Sequence, residues 1–326
     1  MISPLDWGLG HATRCIPLIH LLLKQENEVF VCAEGSVEKL IRAEFPDINI
    51  IPFKGYGIKY AAHKKWFMWA IVLQLPKIAW RAMQERKSLN DIVAGIHPDL
   101  IISDNRLGFR HQHVKSVFIT HQLSVKTGRK YLDTIARFFN YRYIQHFDEC
   151  WVPDHEGADG LAGELSHPVK MPQMPVFYIG PLSRLSKIST TKKYHAAVII
   201  SGPEPQRSIF EKIILSQLKS IQQKIILVRG LPGEHNQIHQ DQVIIYNHLP
   251  AGELSRLMQE SNIVIARSGY STIMDLVALD QKAVLVPTPG QTEQEYLADY
   301  LSKKGLFKAV CQEHFNLNQI LEEMVQ

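Results

Sequence analysis

Apolar residues recur along this chain in two alternating rhythms. Short unbroken runs, "EVFVCA" (28–33), "INIIPF" (48–53), "DLIIS" (99–103), "SVFIT" (116–120) and "ECWVP" (149–153), have the length and β-rich content of buried parallel strands. Between them lie stretches with helical spacing: 15–25, 36–45 and a long one over 64–96, in which Pro76 predicts a kink or break. A second series follows, with strands expected at 195–201, 224–230, 242–249, 262–268 and 282–289. Helices are expected at 207–222, 252–260, 271–279 and 293–304. This alternation predicts an α/β fold of two Rossmann-like, doubly wound domains facing a cleft. The stretch "SRLSKISTTKKY" is polar and without period, which divides the chain into 1–180, a linker at 181–194, and 195–326. Ligands of such sheets bind beyond the carboxyl ends of the strands, so the residues just after each strand are the candidates.

Composition narrows this picture a little. The 326 residues exceed what one core usually holds, about 250–300 residues, and 45% hydrophobic with 21% charged residues is ordinary for a globular protein. A net charge of +4 is too small to argue for a nucleic-acid partner. Cys15, Cys32, Cys150 and Cys311 form no Cys-x-x-Cys pattern and are expected as buried free thiols in a reducing compartment. No secretory leader pattern and no apolar run of about 18 residues is visible, so a cytoplasmic location is expected.

The first candidate chemistry is in "LDWGLGHATR" (5–14). Gly8 and Gly10 let backbone approach a ligand, and a helix start favours an anion. A dinucleotide loop would have a third glycine where Thr13 stands. Glu34 does sit about 20 residues beyond, so a nicotinamide cofactor is disfavoured rather than excluded. The alternative is a plain turn that starts a helix. Only "MIS" precedes Pro4, so the first strand is either very short or lacks a few residues. His11, at the helix start, is expected neutral and able to accept a proton from a hydroxyl. Arg14 faces either a phosphate or a surface ion pair. Asp104 and His121 follow strands of the same half; a helix cap and a loop are their plainer readings. His111 and His113 read as a loop.

The second half holds a denser set. "ARSGYSTIMDL" places Arg267, Ser268 and Gly269 after a strand and Ser271 and Thr272 at a helix start, an arrangement suited to phosphate. Asp275, a turn further on, can take the hydroxyls of a ribose or simply favour the helix dipole. Gln291, Gln294 and Glu295 in "PGQTEQEYLA" suit sugar hydroxyls; the plainer reading is a capping box from Thr292 to Glu295. Ser201, Gly202, Arg229, His248 and Leu249 stand at other strand ends.

Together, "GLGHATR", the doubled Rossmann pattern and "ARSGYSTIMDLVALDQKAVLVPTPGQTEQEYLA" resemble the GT-B glycosyltransferases related to the MurG-type (family 28) N-acetylglucosaminyltransferases. The resemblance covers nearly the whole chain in architecture and is specific in the two motifs. It implies a nucleotide-sugar donor held by the C-terminal half, an acceptor held by the N-terminal half, and His11 or Asp104 as base. The family's Gly-His falls on Gly10 and His11. Its ribose-binding Glu falls on Asp275, and its pair of glutamines on Gln294 and Glu295; the last departure leaves the donor sugar open. The Asp-x-Asp that holds a divalent ion in the other major glycosyltransferase fold is absent from the sequence, so neither metal nor cofactor is expected. A helix N-terminus and arginines, Arg267 first and Arg14 or Arg229 beside it, would stabilise the leaving diphosphate.

One segment stands apart. Residues 54–88 carry eight lysines and arginines against Glu85 alone, and 63–83 includes Trp66, Phe67, Trp69 and Trp80. Tryptophan beside lysine suits a membrane interface, and an ordinary packed helix is the rival reading. The sequence therefore reads as an inverting transferase from a UDP-sugar to a glycan or lipid-linked acceptor, located in the cytoplasm either free or peripherally at the inner face of a membrane. A nucleotide-sugar hydrolase or epimerase and a non-catalytic binding protein are the rival readings.

Overall fold

The computed structural model describes residues 1–57, 74–231, 237–240 and 242–324. The chain forms two units that divide between Leu182 and Ser183.

The first unit holds a seven-stranded, wholly parallel sheet. Its strands are β1 (Ile2–Pro4), β2 (Phe30–Ala33), β3 (Asn49–Pro52), β4 (Leu100–Asp104), β5 (Lys115–Ile119), β6 (Glu149–Val152) and β7 (Val176–Tyr178), in the spatial order β3-β2-β1-β4-β5-β6-β7. Strand β1 is short yet central: Ile2 pairs with both Val31 and Ile102, and Pro4 pairs with Asp104. Successive residues of each strand enter opposite layers, as the two-residue period requires. Val31, Ile102 and Ile119 pack with Ala12, Ile16 and Ile19 of α1 (Leu9–Lys24) and with Val37 and Ile41 of α2 (Gly35–Glu44). Cys32 and Ile101 pack on Leu89 and Val93 of α3 (Leu75–Ile96). Phe118 and Cys150 pack on Ile144 of α4 (Lys130–Ile144).

The break expected at Pro76 falls at the start of α3: Pro76 stands in its first turn, where its missing N–H leaves no bond unmade, while 64–73 of the expected helical stretch lie outside the described residues. Helix α4 carries no clear apolar period in the sequence, because most of its large apolar residues face solvent: Tyr131, Ile135, Phe138, Phe139 and Tyr143 are all exposed. Cys15, Cys32 and Cys150 are buried free thiols, but Cys311 is exposed.

The second unit repeats the plan. Strands β8 (Tyr194–Ile199), β9 (Ile225–Val228), β10 (Gln237–Gln240), β11 (Val243–Tyr246), β12 (Ser261–Ala266), β13 (Ala283–Leu285) and β14 (Lys308–Ala309) lie in the order β10-β11-β9-β8-β12-β13-β14. Only β10 runs antiparallel to its neighbour. Helices α5 (Gln206–Leu218) and α9 (Leu317–Met324) close one core, with Phe210, Ile214, Leu317 and Leu321 against Val198, Leu227 and Ile265. Helices α6 (Ala251–Gln259), α7 (Tyr270–Ala278) and α8 (Thr292–Lys303) complete the series.

The stretch expected as a linker has no helix or strand from 183 to 193, but it is fastened to the second unit along its length. The Ile188 N–H donates to Gln259 Oε1 at 2.8 Å, Ser255 Oγ donates to the Ser186 carbonyl at 2.7 Å, and the Lys193 N–H donates to the Glu260 carbonyl at 2.7 Å. Among the described residues no helix is long and apolar enough to cross a membrane.

Candidate active site

The first cluster forms where β1 passes into α1. Gly8 has φ 92°, a conformation that side chains strongly disfavour, and this lets the chain turn directly into the helix. Helix α1 begins at Leu9, so Gly10 lies inside its first turn rather than in an open loop. Thr13 donates its hydroxyl to the Gly10 carbonyl at 2.9 Å. The Leu5 N–H donates to the Asp104 carbonyl at 3.0 Å, tying the turn to the end of β4.

Side chains from three strand ends converge on Asp104, which is fully buried. Arg14 donates Nε to Oδ2 at 2.6 Å and Nη2 to Oδ1. His11 Nδ1 lies 2.9 Å from Oδ1, and Arg14 Nη1 lies 3.1 Å from His121 Nδ1. The Cys15 thiol donates to Oδ2 at 3.4 Å. Arg14 is only 2% exposed, so the expectation that it faces a phosphate is corrected: its guanidinium is turned inward as a two-point fork on a carboxylate.

Charge then sorts the roles. Burial would raise the Asp104 carboxyl, but Arg14 and His11 beside it more than offset this and hold it well below the usual carboxylate range. A carboxylate held that low is a weak proton acceptor, and its oxygens are taken up by Arg14 and His11. Burial lowers the His11 imidazole, Arg14 lowers it further, and Asp104 acts in the opposite direction without cancelling the shift. His11 is therefore neutral at neutral pH, through burial and Arg14 rather than through its place at a helix start. His11 Nδ1 also lies 2.9 Å from Arg14 Nη2; in the tautomer that donates Nδ1–H to Asp104 the lone pair is on Nε2, and 16% of the side chain remains exposed.

His111 and His113 are not part of this cluster. With His97 they line a surface cavity of about 360 Å³ near the amino ends of β4 and β5, at the opposite edge of the sheet.

In the second unit the loops after β12 and β13 are knit together. Ser268 Oγ donates to the Gln294 carbonyl at 2.8 Å, and the Thr288 N–H donates to Gln294 Oε1 at 2.9 Å. Gln294 Nε2 donates to Gln291 Oε1 at 2.5 Å. Gly269 caps α7, and a Cβ on it would lie 4.0 Å from Gln294 Nε2. Ser271 and Thr272 stand half-buried in the first turn of α7. Gln291 is the N-cap of α8, one residue before the Thr292 of the plainer capping-box reading, and Glu295 Oε1 accepts the Gly290 N–H at 3.0 Å.

The two arginines expected to meet the diphosphate are otherwise engaged. Arg267 is 1% exposed; its Nη atoms donate to the carbonyls of Val286, Pro287 and Gln206 and to Gln312 Oε1, and its guanidinium lies 4.1 Å from the Phe210 ring centre. Burial pushes it down to about 10. The enclosed guanidinium ties the segment after β13 to the start of α5 and to Gln312. Arg229 pairs with Glu211 and donates to Asn247 Oδ1 at 2.8 Å. Ser201 and Gly202 follow β8, Gly202 with φ 106°, and His248 and Leu249 follow β11, Leu249 buried.

Asp275 is the surprise. Burial raises its carboxyl to about 6, against the opposing pull of a hydrogen bond from Ser183 and the charge of Arg184. Ser183 Oγ donates to Asp275 Oδ1 at 2.5 Å. Nothing in the sequence singles out Ser183, which sits in an aperiodic polar stretch. Among the described residues no group of three or more His, Cys, Asp or Glu side chains could hold a metal ion.

Two Rossmann-like units, each built on a mainly parallel sheet, are the architecture of GT-B glycosyltransferases. The glycotransferase of kitacinnamycin shares this fold over 99% of this chain and 89% of its own, with TM-score 0.67 and 13% identity. The Acinetobacter baumannii MurG does so over 100% and 90%, with TM-score 0.59 and 13% identity. An uncharacterized glycosyltransferase of Methanosarcina mazei is 22% identical over 91% of this chain and 82% of its own length. A UDP-N-acetylglucosamine--N-acetylmuramyl-(pentapeptide) pyrophosphoryl-undecaprenol N-acetylglucosamine transferase of Exiguobacterium sp. is 22% identical over 91% and 80%. Residues 201–326 match the glycosyltransferase family 28 C-terminal domain. The chain is a glycosyltransferase with a GT-B fold, its residues 201–326 match the family 28 C-terminal domain, and it is similar along most of its length to a MurG-type enzyme.

Proposed function

We propose that this enzyme moves a sugar from a UDP-sugar to a hydroxyl of a glycan or lipid-linked acceptor, with inversion and without a metal ion. The observation that carries this reading is the His11–Asp104–Arg14 cluster. Arg14 keeps Asp104 ionised, Asp104 accepts Nδ1–H, and His11 Nε2 takes the acceptor proton as the hydroxyl attacks the anomeric carbon. The donor nucleotide lies on the second unit, its ribose at Asp275, its diphosphate at the start of α7 by Gly269, Ser271 and Thr272, and its sugar toward Gln291, Gln294 and Glu295. Backbone N–H groups and the helix dipole, rather than Arg267 or Arg229, stabilise the leaving diphosphate.

The lipid-linked acceptor is supported by exposed apolar side chains on two helices of the first unit. Trp80 and Met83 of α3 and Phe138 and Phe139 of α4 face solvent, with Lys77, Arg137 and Arg142 on the same helices. Trp66, Phe67 and Trp69 of the 63–83 segment lie, with Lys64 and Lys65, outside the described residues. Work at the cytoplasmic face of a membrane follows from this reading.

His11→Ala tests it. Sugar transfer is expected to fall by about 10²–10⁴-fold, the usual share of a general base, with UDP affinity unchanged. Lost UDP binding in a folded variant would move His11 to the donor side. Undiminished transfer in the presence of EDTA is expected. Free sugar released at turnover rates without any acceptor would make the enzyme a hydrolase.

A further inference from the structure

The ribose acid of this protein is an aspartate where the resemblance implies a glutamate, and it is not alone. Asp275 projects from α7, and its Oδ1 takes the hydroxyl proton of Ser183 at 2.5 Å. Among the described residues nothing hydrogen-bonds to its other oxygen, Oδ2. Ser183 Oγ in turn accepts the Leu185 N–H at 3.0 Å. A hydroxyl has one proton and two lone pairs. The proton goes to Asp275 and one lone pair to Leu185, so one lone pair remains. Two uncommitted acceptors, Asp275 Oδ2 and Ser183 Oγ, therefore stand on two groups already bonded to each other. Both residues are half-buried, so neither is sealed from a ligand.

We propose that Ser183 and Asp275 together form the ribose site, each accepting one hydroxyl of the donor's 2′,3′-diol. The proposal rests on the reading that the second unit binds the nucleotide. A glutamate can place both carboxylate oxygens against a diol. The shorter aspartate turns Oδ1 to Ser183 and keeps Oδ2 without a partner among the described residues, and Ser183 Oγ stands beside it as a second acceptor. The serine is fixed for this task. Leu185 is buried, and the Ser186 carbonyl accepts hydrogen bonds from Ser255 Oγ at 2.7 Å and Gln259 Nε2 at 3.1 Å, so the segment is in place before a ligand arrives. The pair makes the enzyme selective for ribonucleoside over deoxyribonucleoside diphosphate donors.

The competing account is that Ser183 only satisfies a buried carboxyl and tacks the segment to α7. Titration calorimetry with UDP, 2′-deoxy-UDP and 3′-deoxy-UDP separates the two. Ser183→Ala is expected to weaken UDP by about tenfold and to leave unchanged the affinity for whichever deoxynucleotide lacks the hydroxyl that Ser183 accepts. Ser183→Thr, which keeps the hydroxyl, retains UDP affinity. Asp275→Glu in the Ser183→Ala background restores UDP affinity by returning two oxygens to the diol. Equal weakening of all three nucleotides by Ser183→Ala, with no rescue by glutamate, would overturn the proposal. So would tighter UDP binding by Ser183→Ala, which would make the serine a competitor of the ribose. If the wild-type protein binds neither UDP nor another ribonucleoside diphosphate, the donor-site reading fails and takes this proposal with it; the other outcomes concern Ser183 alone.

Discussion

At the scale of single residues, the environment of His11 makes a statement about pH. Its pKa is depressed by burial and by Arg14, while the Asp104 carboxylate pulls the other way. If His11 is the base proposed above, the neutral imidazole is the working form, and the acid limb of kcat/KM is expected below the ordinary value of 6.5. Asp104→Asn removes the one group that favours the charged imidazole and frees the Arg14 charge beside it. The limb therefore moves lower still, while the rate falls because Nδ1–H loses its anionic partner. An acid limb above 6.5 in the wild type, or an upward shift in the variant, would contradict this account. The residue scale is also where the sequence is least legible. His11, Asp104 and His121 are recognisable as strand-end residues, but nothing in the spacing of Arg14 tells that it turns inward to join them. Arg267 and Arg229 are misread for the same reason: a charged residue after a strand looks like a ligand contact until its partners are known. Their partners, four oxygen atoms for Arg267 and Glu211 with Asn247 for Arg229, come from elements distant in sequence.

At the scale of elements, parallel strands announce themselves because both faces are buried, and continuous apolar runs such as residues 99–103 have no other stable home. Helix α4 does not, because only Ile144 of it is buried while Phe138 is 66% and Phe139 56% exposed. Reading apolar residues as core fails where a helix keeps them outside. An exposed aromatic stripe of this size on a helix that also carries Lys130, Arg137 and Arg142 favours contact with an anionic bilayer, where ring burial and charge attraction add. Phe138→Ser with Phe139→Ser is expected to lower co-sedimentation with vesicles containing anionic lipid by about tenfold or more, since burying each ring is worth roughly 1.5–3 kcal/mol. Salt should weaken the wild-type binding as well. Trp66→Ser with Trp69→Ser gives the parallel test for the 63–83 segment. Vesicle binding unaffected by either pair would leave the acceptor without a membrane.

At the scale of the molecule, the chain carries two separate cores. Ile2, Ile16, Ile102 and Ile119 belong to one, and Val198, Leu227, Ile263 and Leu321 to another. The doubled strand–helix series makes two such cores legible in advance. The place of the division is less so, because 183–193 has loop composition yet its hydrogen bonds run to α6 and β12 of the second unit. If each core melts on its own, calorimetry should resolve two transitions. Ile102→Ala lowers one and Leu227→Ala the other, each by the 2–5 kcal/mol typical of a buried aliphatic truncated to alanine. A donor nucleotide bound by the second unit alone then raises only the transition that Leu227→Ala lowers. At UDP 100-fold above its Kd the stabilisation is about 2.7 kcal/mol, which for a unit of this size is a shift of roughly 5–10 °C. A rise of the Ile102-sensitive transition by the same amount would mean that UDP is held by the first unit as well. A single transition moved by either core substitution would mean that the two units unfold as one.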